Sequence, residues 1–302
     1  MSHENIKKQF KLRDRIFRAH SIDGNIRIAA IKNSNTSKTA QNKHNLDFVS
    51  ATLLSKLLSG ASLIASFLKG EERIILETEG NGHITRLYAE ALQVGEVRGF
   101  VVSDNNYNAE SIQDWRDVLG IGLMKVRKII YNKAEPVEGL VPLQKGDIST
   151  DLAFYFTQSE QIPTAVRLDV SIDDNGKIEH SGGIIIQALP GADENDLEMI
   201  YKNIEKMDNI TDYYKKGLMP DDIINEIIPF KYEIISNTQI DFYCRCSLDH
   251  FKSKILTLGV GEIRDMQDKG QNELVCQYCN SKYYLEDEDF QGLYNELTAM
   301  KN

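Results

Sequence analysis

Residues 48–68 are the most apolar stretch of the chain, and their apolar positions recur at helical spacing. Phe48, Leu53, Leu54, Leu57, Leu58, Ala61, Ile64, Ala65 and Leu68 supply the stripe, while Ser50, Ser55, Lys56, Ser59, Ser62 and Ser66 interrupt it. The pattern predicts a core helix rather than a membrane span, which wants about 20 largely uninterrupted apolar residues. Ser50, Ser59, Gly60 and Ala61 leave room for close approach by another element, and Lys69-Gly70 marks the end, with Gly70 as C-terminal cap.

Either side of this helix the period falls to two. Residues 21–32 read as a hairpin turning at Asp23-Gly24, with Ile26, Ile28 and Ala30 alternating along the returning strand. Residues 33–45 are polar and read as a loop. Strands are predicted over 73–79, 83–91, 96–102, 122–130 and 138–143, separated by Gly80-Asn81-Gly82, Gly95 and the polar run 104–108. A helix over 147–161 precedes Pro163, and strands over 164–172 and 177–189 turn at Asp173-Asp174-Asn175-Gly176. The fold class is therefore α+β: a strand-rich sheet with two packed helices over 1–191. Over 192–240 the texture changes to short helical stretches (196–207, 209–216, 220–228) broken by Gly217 and Pro229. Their apolar faces are modest, as with Leu197, Ile200, Tyr201 and Ile204, and they read as a helical linker packed on the main domain. Residues 241–302 form a third, small domain.

Composition narrows the function classes. A net charge of −10 over 302 residues argues against a general nucleic-acid binder, which needs a basic face. Residues 1–50 carry ten Lys/Arg against four Asp/Glu, whereas 241–302 carry seven against eleven. The N-terminus has charge but no apolar segment behind it, so residues 1–11 read as a disordered basic tail and the expected compartment is the cytoplasm. Thiols start reduced there, which favours metal ligands or redox groups over structural disulfides. Gly80-Asn81-Gly82 and Gly182-Gly183 match neither a Walker A loop nor a dinucleotide fingerprint, and read as turns or tight strand packing. Ser159-Glu160-Gln161 reads as structural, capping a helix or anchoring a strand.

All four cysteines lie in the acidic last sixty residues: Cys244-Arg245-Cys246, 29 intervening residues, then Cys276-Gln277-Tyr278-Cys279. Two close pairs across such a spacer are a zinc signal, and the spacer reads as helical over 248–258 and 262–269, with a strand over 281–285. Four thiolates close the coordination sphere, leaving no open position for an activated water, so hydrolytic chemistry is disfavoured and no enzyme is expected. His250 reads as an exposed helix histidine, and Asp/Glu at 286–289 as a solvated cluster. On extended backbone the Cα atoms of Cys244 and Cys246 would stand about 6.6 Å apart, near the ~6.8 Å limit for a disulfide. Cys276 and Cys279 in a turn lie within about 7 Å. Spacing thus permits two local disulfides without requiring them, and by itself favours a structural zinc. Zinc in small thiolate domains contributes ~10–16 kcal/mol of folding free energy, so oxidising the ligands would undo most of what holds such a module folded.

The chain also resembles the heat-shock protein 33 family, redox-regulated, ATP-independent holdase chaperones of the bacterial cytoplasm. The resemblance rests on Cys244-Arg245-Cys246-Ser247 and Val275-Cys276-Gln277-Tyr278-Cys279, and on Leu258-Gly259-Val260-Gly261-Glu262-Ile263 between them. Upstream it includes Leu68-Lys69-Gly70-Glu71-Glu72-Arg73, Val97-Arg98-Gly99-Phe100, Ser159-Glu160-Gln161-Ile162-Pro163 and the run from Gly182-Gly183 to Pro190-Gly191. It implies that Cys244, Cys246, Cys276 and Cys279 bind one Zn2+ when reduced. On oxidation it implies Cys244–Cys246 and Cys276–Cys279 disulfides, metal release, and unfolding of the zinc module with the linker over 192–240. It further implies unfolding client proteins as partners and a homodimer as the active form. Two departures stand out. Ser247-Leu248-Asp249-His250 lacks the basic residues common after the first knuckle, where cations stabilise thiolates, and residues 1–11 extend beyond the usual start.

Two other classes compete. A constitutive zinc-ribbon adaptor binding RNA or protein would carry a basic, aromatic surface beside the knuckles. A dithiol oxidoreductase would place Cys276 at a helix N-terminus, whereas Tyr283-Tyr284-Leu285 suggests that a strand follows.

Overall fold

The computed structural model describes residues 13–104, 108–112, 114–131 and 133–299, so the tail expected over 1–11 lies outside the described residues. The chain divides into two compact units, Met1–Tyr243 and Cys244–Asn302.

The first unit opens with a hairpin of β1 (Arg15–Ser21) and β2 (Ile26–Lys32); its turn at Gly24 (φ +76°) and returning strand are as predicted, whereas its first strand lies before the predicted span of 21–32. Residues 33–45, read from sequence as a loop, instead form α1 (Ser34–His44). The reading failed because the buried face of α1 is polar: Ser34, Thr36, Ser37, Ala40 and Gln41. Hydrogen bonds replace an apolar stripe. Asp14 Oδ2 accepts from the Thr36 N–H (2.7 Å) and hydroxyl (2.9 Å), and the Gln41 side chain donates to Gly176 O and accepts from Ile178 N, each at 2.9 Å.

The predicted core helix is α2 (Phe48–Ala65), N-capped by Asp47, whose carboxylate accepts from Val49 N and Ser50 N. It is long and apolar enough to cross a membrane, yet 83% of it is buried in the protein. Regular helix stops at Ala65, and Gly70 (φ +55°) serves the following turn rather than the helix cap. Then come β3 (Arg73–Gly80), β4 (Ile84–Leu92), β5 (Glu96–Ser103), the short α3 (Trp115–Leu119), β6 (Gly122–Ile129) and β7 (Val137–Pro142). Next, α4 (Ile148–Tyr155) ends in a wider π-type turn, Phe156–Glu160, with Gln161 at φ +56°. There Glu160 accepts from the Tyr155 hydroxyl at 2.7 Å and pairs with Lys128 of β6, the anchoring role expected of this segment. β8 (Thr164–Ile172) and β9 (Ile178–Ala188) follow.

Residues 192–240 belong to this first unit. They form α5 (Glu194–Lys206), α6 (Ile210–Lys215), α7 (Pro220–Ile227) and then a strand, β10 (Tyr232–Gln239), antiparallel to β1. The helical reading therefore holds through α7 but not for 232–239, whose backbone groups find partners on the sheet. β11 (Asp241–Phe242) closes the unit, parallel to β5.

Two sheets result where the sequence suggested one: β10-β1-β2-β9-β8 and β11-β5-β4-β3-β6-β7. Helix α2 lies between them, with Leu57, Leu58 and Leu63 at 0% exposure. The central strands of the five-stranded sheet are covered on both faces. Along β2, Ala29 and Ile31 face the α2 core, while Ile26, Ile28 and Ala30 face a second apolar cluster with Ile200, Ile210, Tyr214, Ile223, Ile224 and Ile227 of the 192–240 helices. Gly182 belongs to that packing, since a Cβ there would collide with the Tyr214 ring. On the six-stranded sheet Glu77 pairs with Arg127 (2.8 Å) and Arg86, and Glu90 with Arg73 (2.9 Å) and Arg98 (2.6 Å).

Candidate metal centre

The second unit packs α8 (Leu248–Ile255), α9 (Val260–Asp268), the hairpin β12 (Glu273–Val275) and β13 (Lys282–Tyr284), and α10 (Asp287–Ala299) around one small cluster. Ile255, Ile263, Leu285, Phe290, Leu293 and Leu297 are its buried members. The acidic run read as a solvated cluster opens α10, where negative charge suits the helix N-terminus. Lys252 pairs with Asp289, tying α8 to α10.

The four cysteines converge beside this cluster. Cys244-Arg245-Cys246 lies between β11 and α8, which begins when the Ser247 hydroxyl accepts the His250 N–H at 3.1 Å. The run that lacks the family's basic residues thus begins with a helix cap. His250 is exposed and outside the ligand group, as expected. Cys276-Gln277-Tyr278-Cys279 forms a tight turn in the β12–β13 hairpin: Cys276 N donates to Ser281 O (2.9 Å), Cys279 N and Asn280 N donate to Cys276 O (3.3 and 2.7 Å), and Asn280 takes φ +55°. A strand follows Cys279, not a helix, which removes the helix-dipole activation a dithiol oxidoreductase would use.

All four Sγ atoms lie within 4.8 Å of one another, and none is bonded to another. Cys244 meets Cys276 at 3.8 Å and Cys246 meets Cys279 at 3.4 Å. Tetrahedral Zn–S bonds of about 2.3 Å put sulfur atoms about 3.8 Å apart. The cluster therefore has the dimensions of a four-thiolate site, and an all-sulfur donor set suits a soft tetrahedral metal. Burial pushes Cys246 up and Cys276 up to about 12. At Cys279 burial also pushes upward, but hydrogen bonds from the Ser281 hydroxyl and backbone outweigh it and bring the thiol to about 7. Those hydrogen bonds favour the thiolate, the ligating form, at Cys279.

Residues beyond the cysteines complete the site, and the sequence reading missed their role. The Tyr283 hydroxyl lies 3.2 Å from Cys246 Sγ and donates to the Cys246 carbonyl at 2.9 Å. Phe251 packs on its ring with centroids 5.5 Å apart. Ser281 Oγ stands 3.2 Å from Cys279 Sγ. The available signal was period two: Tyr283 lies two residues beyond Ser281 on the strand leaving the second knuckle.

The sequence and fold can now be set beside known proteins. A family model described as Hsp33 protein matches residues 14–286. The chain belongs to the Hsp33 family. Among Hsp33 relatives, the 33 kDa chaperonin of Bacillus velezensis is 31% identical over 290 residues, covering 94% of this chain and 99% of its own length. That of Bacillus subtilis is 30% identical with the same coverage. The crystal structure of the 33 kDa chaperonin (heat shock protein 33 homolog) of Thermotoga maritima superimposes with a TM-score of 0.85 at 28% identity, covering 95% of this chain and 99% of that one. The α+β architecture and the clustered C-terminal cysteines are thus those of an Hsp33 chaperone.

Proposed function

We propose that this protein is a redox-switched, ATP-independent holdase of the cytoplasm. The observation that carries the reading is the convergence of Cys244, Cys246, Cys276 and Cys279 in a unit whose remaining core is six apolar side chains. Bound Zn2+ would cross-link the two knuckles and supply the folding free energy that so small a core lacks.

Oxidation by a peroxide removes the ligands. One thiolate attacks a peroxide oxygen and expels hydroxide, forming a sulfenic acid. Its neighbour then attacks that sulfur and expels a second hydroxide, closing the disulfide. Two equivalents of hydrogen peroxide take four electrons from four thiolates, giving Cys244–Cys246 and Cys276–Cys279 disulfides and four hydroxides. No anionic sulfur then remains to hold the cation.

Residues 192–240 are the proposed output. Helices α5, α6 and α7 have 13, 6 and 8 residues, and isolated helices shorter than about 12–15 residues are marginal in water. They persist by packing on the five-stranded sheet. Loss of that packing would uncover Phe17, Ile26, Ile28, Ile184 and Ile186 together with the helices' own isoleucines, an apolar surface suited to unfolding clients. The first unit ends at Tyr243, whose N–H donates to Val97 O, and the next residue is Cys244, so a change in the cysteine unit acts on the chain where β11 is pinned. The oxidised form is proposed to act as a homodimer on proteins rather than nucleic acids.

The test compares reduced protein with protein treated with peroxide and mild heat. Zinc content, free thiols, mass by light scattering and suppression of aggregation of a heat-denatured client are measured together. Zinc loss, thiol loss and gain of client holding should rise in parallel. Retained zinc, or zinc loss without client holding, overturns the reading, and salt-sensitive RNA binding by the reduced form would support the constitutive adaptor instead.

A further inference from the structure

We propose that Tyr283 is a positioning residue of the cysteine centre, its hydroxyl holding Cys246 by hydrogen bonding and retarding oxidation of that sulfur. This rests on the zinc-and-thiol reading above.

The two knuckles differ in how they are built. The second carries its own scaffold, three backbone hydrogen bonds within the turn from Cys276 to Ser281. In the first, a single residue separates the cysteines, and the helix that follows starts only at Leu248. Cys246 is held from 37 residues away by the Tyr283 hydroxyl, 2.9 Å from its carbonyl oxygen and 3.2 Å from its sulfur. Tyr283 is itself fixed from two sides. Its backbone sits opposite Leu274 in the β12–β13 hairpin, and its ring packs on Phe251 of α8, the helix that the first knuckle leads into. One side chain thus joins the strand four residues beyond Cys279 to the backbone and sulfur of Cys246.

The chemistry follows from the hydroxyl having a single proton. A thiolate has none to offer, so when Cys246 is a metal ligand the phenol is the donor, and its proton is shared between sulfur and carbonyl. A hydrogen bond to sulfur draws on the lone-pair density that would attack peroxide. The bond to the carbonyl fixes the direction from which Cys246 faces the other ligands. Groups that orient metal ligands in this way typically change metal affinity about 10–100-fold when removed.

The test uses Tyr283→Phe, which keeps the ring against Phe251 and removes only the hydroxyl, with Tyr283→Leu as the variant that loses both. The reduced full-length protein is titrated with a chromophoric zinc chelator. Zinc-saturated samples are then treated with hydrogen peroxide, quenched at intervals, alkylated and mapped by mass spectrometry for the two disulfides. The expected result for Y283F is zinc release at ~10–100-fold lower chelator concentration, with the Cys244–Cys246 disulfide forming earlier relative to Cys276–Cys279 than in the wild type. A wild-type chelation curve or an unchanged order of disulfide formation overturns the proposal, including the case in which only Y283L is defective and the ring alone matters. Because oxidation is followed on zinc-saturated protein, a variant that binds more weakly is still compared in the loaded state. Failure of the underlying reading is visible separately, as wild-type protein that holds no zinc.

Discussion

In the first unit, helix α2 alone buries fifteen of its eighteen residues between two sheets. In the second, six apolar side chains are buried, and two cysteines, at 4% and 2% exposure, account for much of what else is shielded. The contrast is one of size. Below roughly 70–80 residues a single core rarely supplies more than ~3–5 kcal/mol, so small domains rely on metals or disulfides. Oxidation of thiolates would remove metal support from the second unit, whereas the α2 core does not depend on them. The two units join at Tyr243–Cys244.

The largest effect that could break this comparison is metal removal. Chelation of the reduced protein should abolish amide protection in α8, α9 and α10 while α2 and its flanking strands stay protected, as read by hydrogen exchange. Zinc contributes ~10–16 kcal/mol in comparable thiolate modules, and persistent protection of α10 would show that the six-residue core suffices. Next in size are cavity substitutions, about 2–5 kcal/mol for a buried leucine. Leu57→Ala should lower the first unit's unfolding midpoint with zinc affinity unchanged. Leu293→Ala should surface instead as weaker zinc binding, since binding and folding are coupled in the second unit.

Acid should act on Asp14 and on the cysteine centre in opposite directions. Burial raises Asp14 from its ordinary 3.8 to about 6. With native pKa above the unfolded value, the folded state binds more protons, so stability falls as pH rises through 4–6. The rise of about 2 pH units, at 1.36 kcal/mol each, amounts to ~3 kcal/mol, full below the unfolded pKa and lost above the native one. Asp14→Asn should flatten this slope in urea melts of the first unit. The cysteine unit does the reverse: thiolates that take up protons release metal, so its zinc affinity falls as pH falls. An Asp14→Asn variant with the wild-type slope would contradict this assignment. Smallest is Tyr214→Phe. The hydroxyl donates to the Ile31 carbonyl, buried between the helices and the sheet. Its loss should cost about 1 kcal/mol and raise exchange in α6 more than in α2.

Legibility from sequence tracked how local each feature is. Strands β3 to β9 and helix α2 were readable because their period is written in consecutive residues. The four-cysteine cluster was readable because knuckle spacing is local. Helix α1 was not, since its buried face is mostly polar and its satisfaction comes from Asp14 and the β9 segment, 22 and 137 positions away. Strand β10 was absorbed into a helical linker because its strand character depends on pairing with β1, over 200 residues earlier.

By itself, then, the sequence determined an α+β unit with a core helix, a module carrying four paired cysteines, and the likeness to Hsp33 chaperones. Only the tertiary structure decided that two sheets sandwich α2, that the 192–240 helices cover the second face of one of them, and that Tyr283 reaches Cys246. The physical reason is that hydrophobic period and ligand spacing are properties of neighbouring residues. Sheet order and side-chain contacts depend on which distant surfaces bury one another most completely.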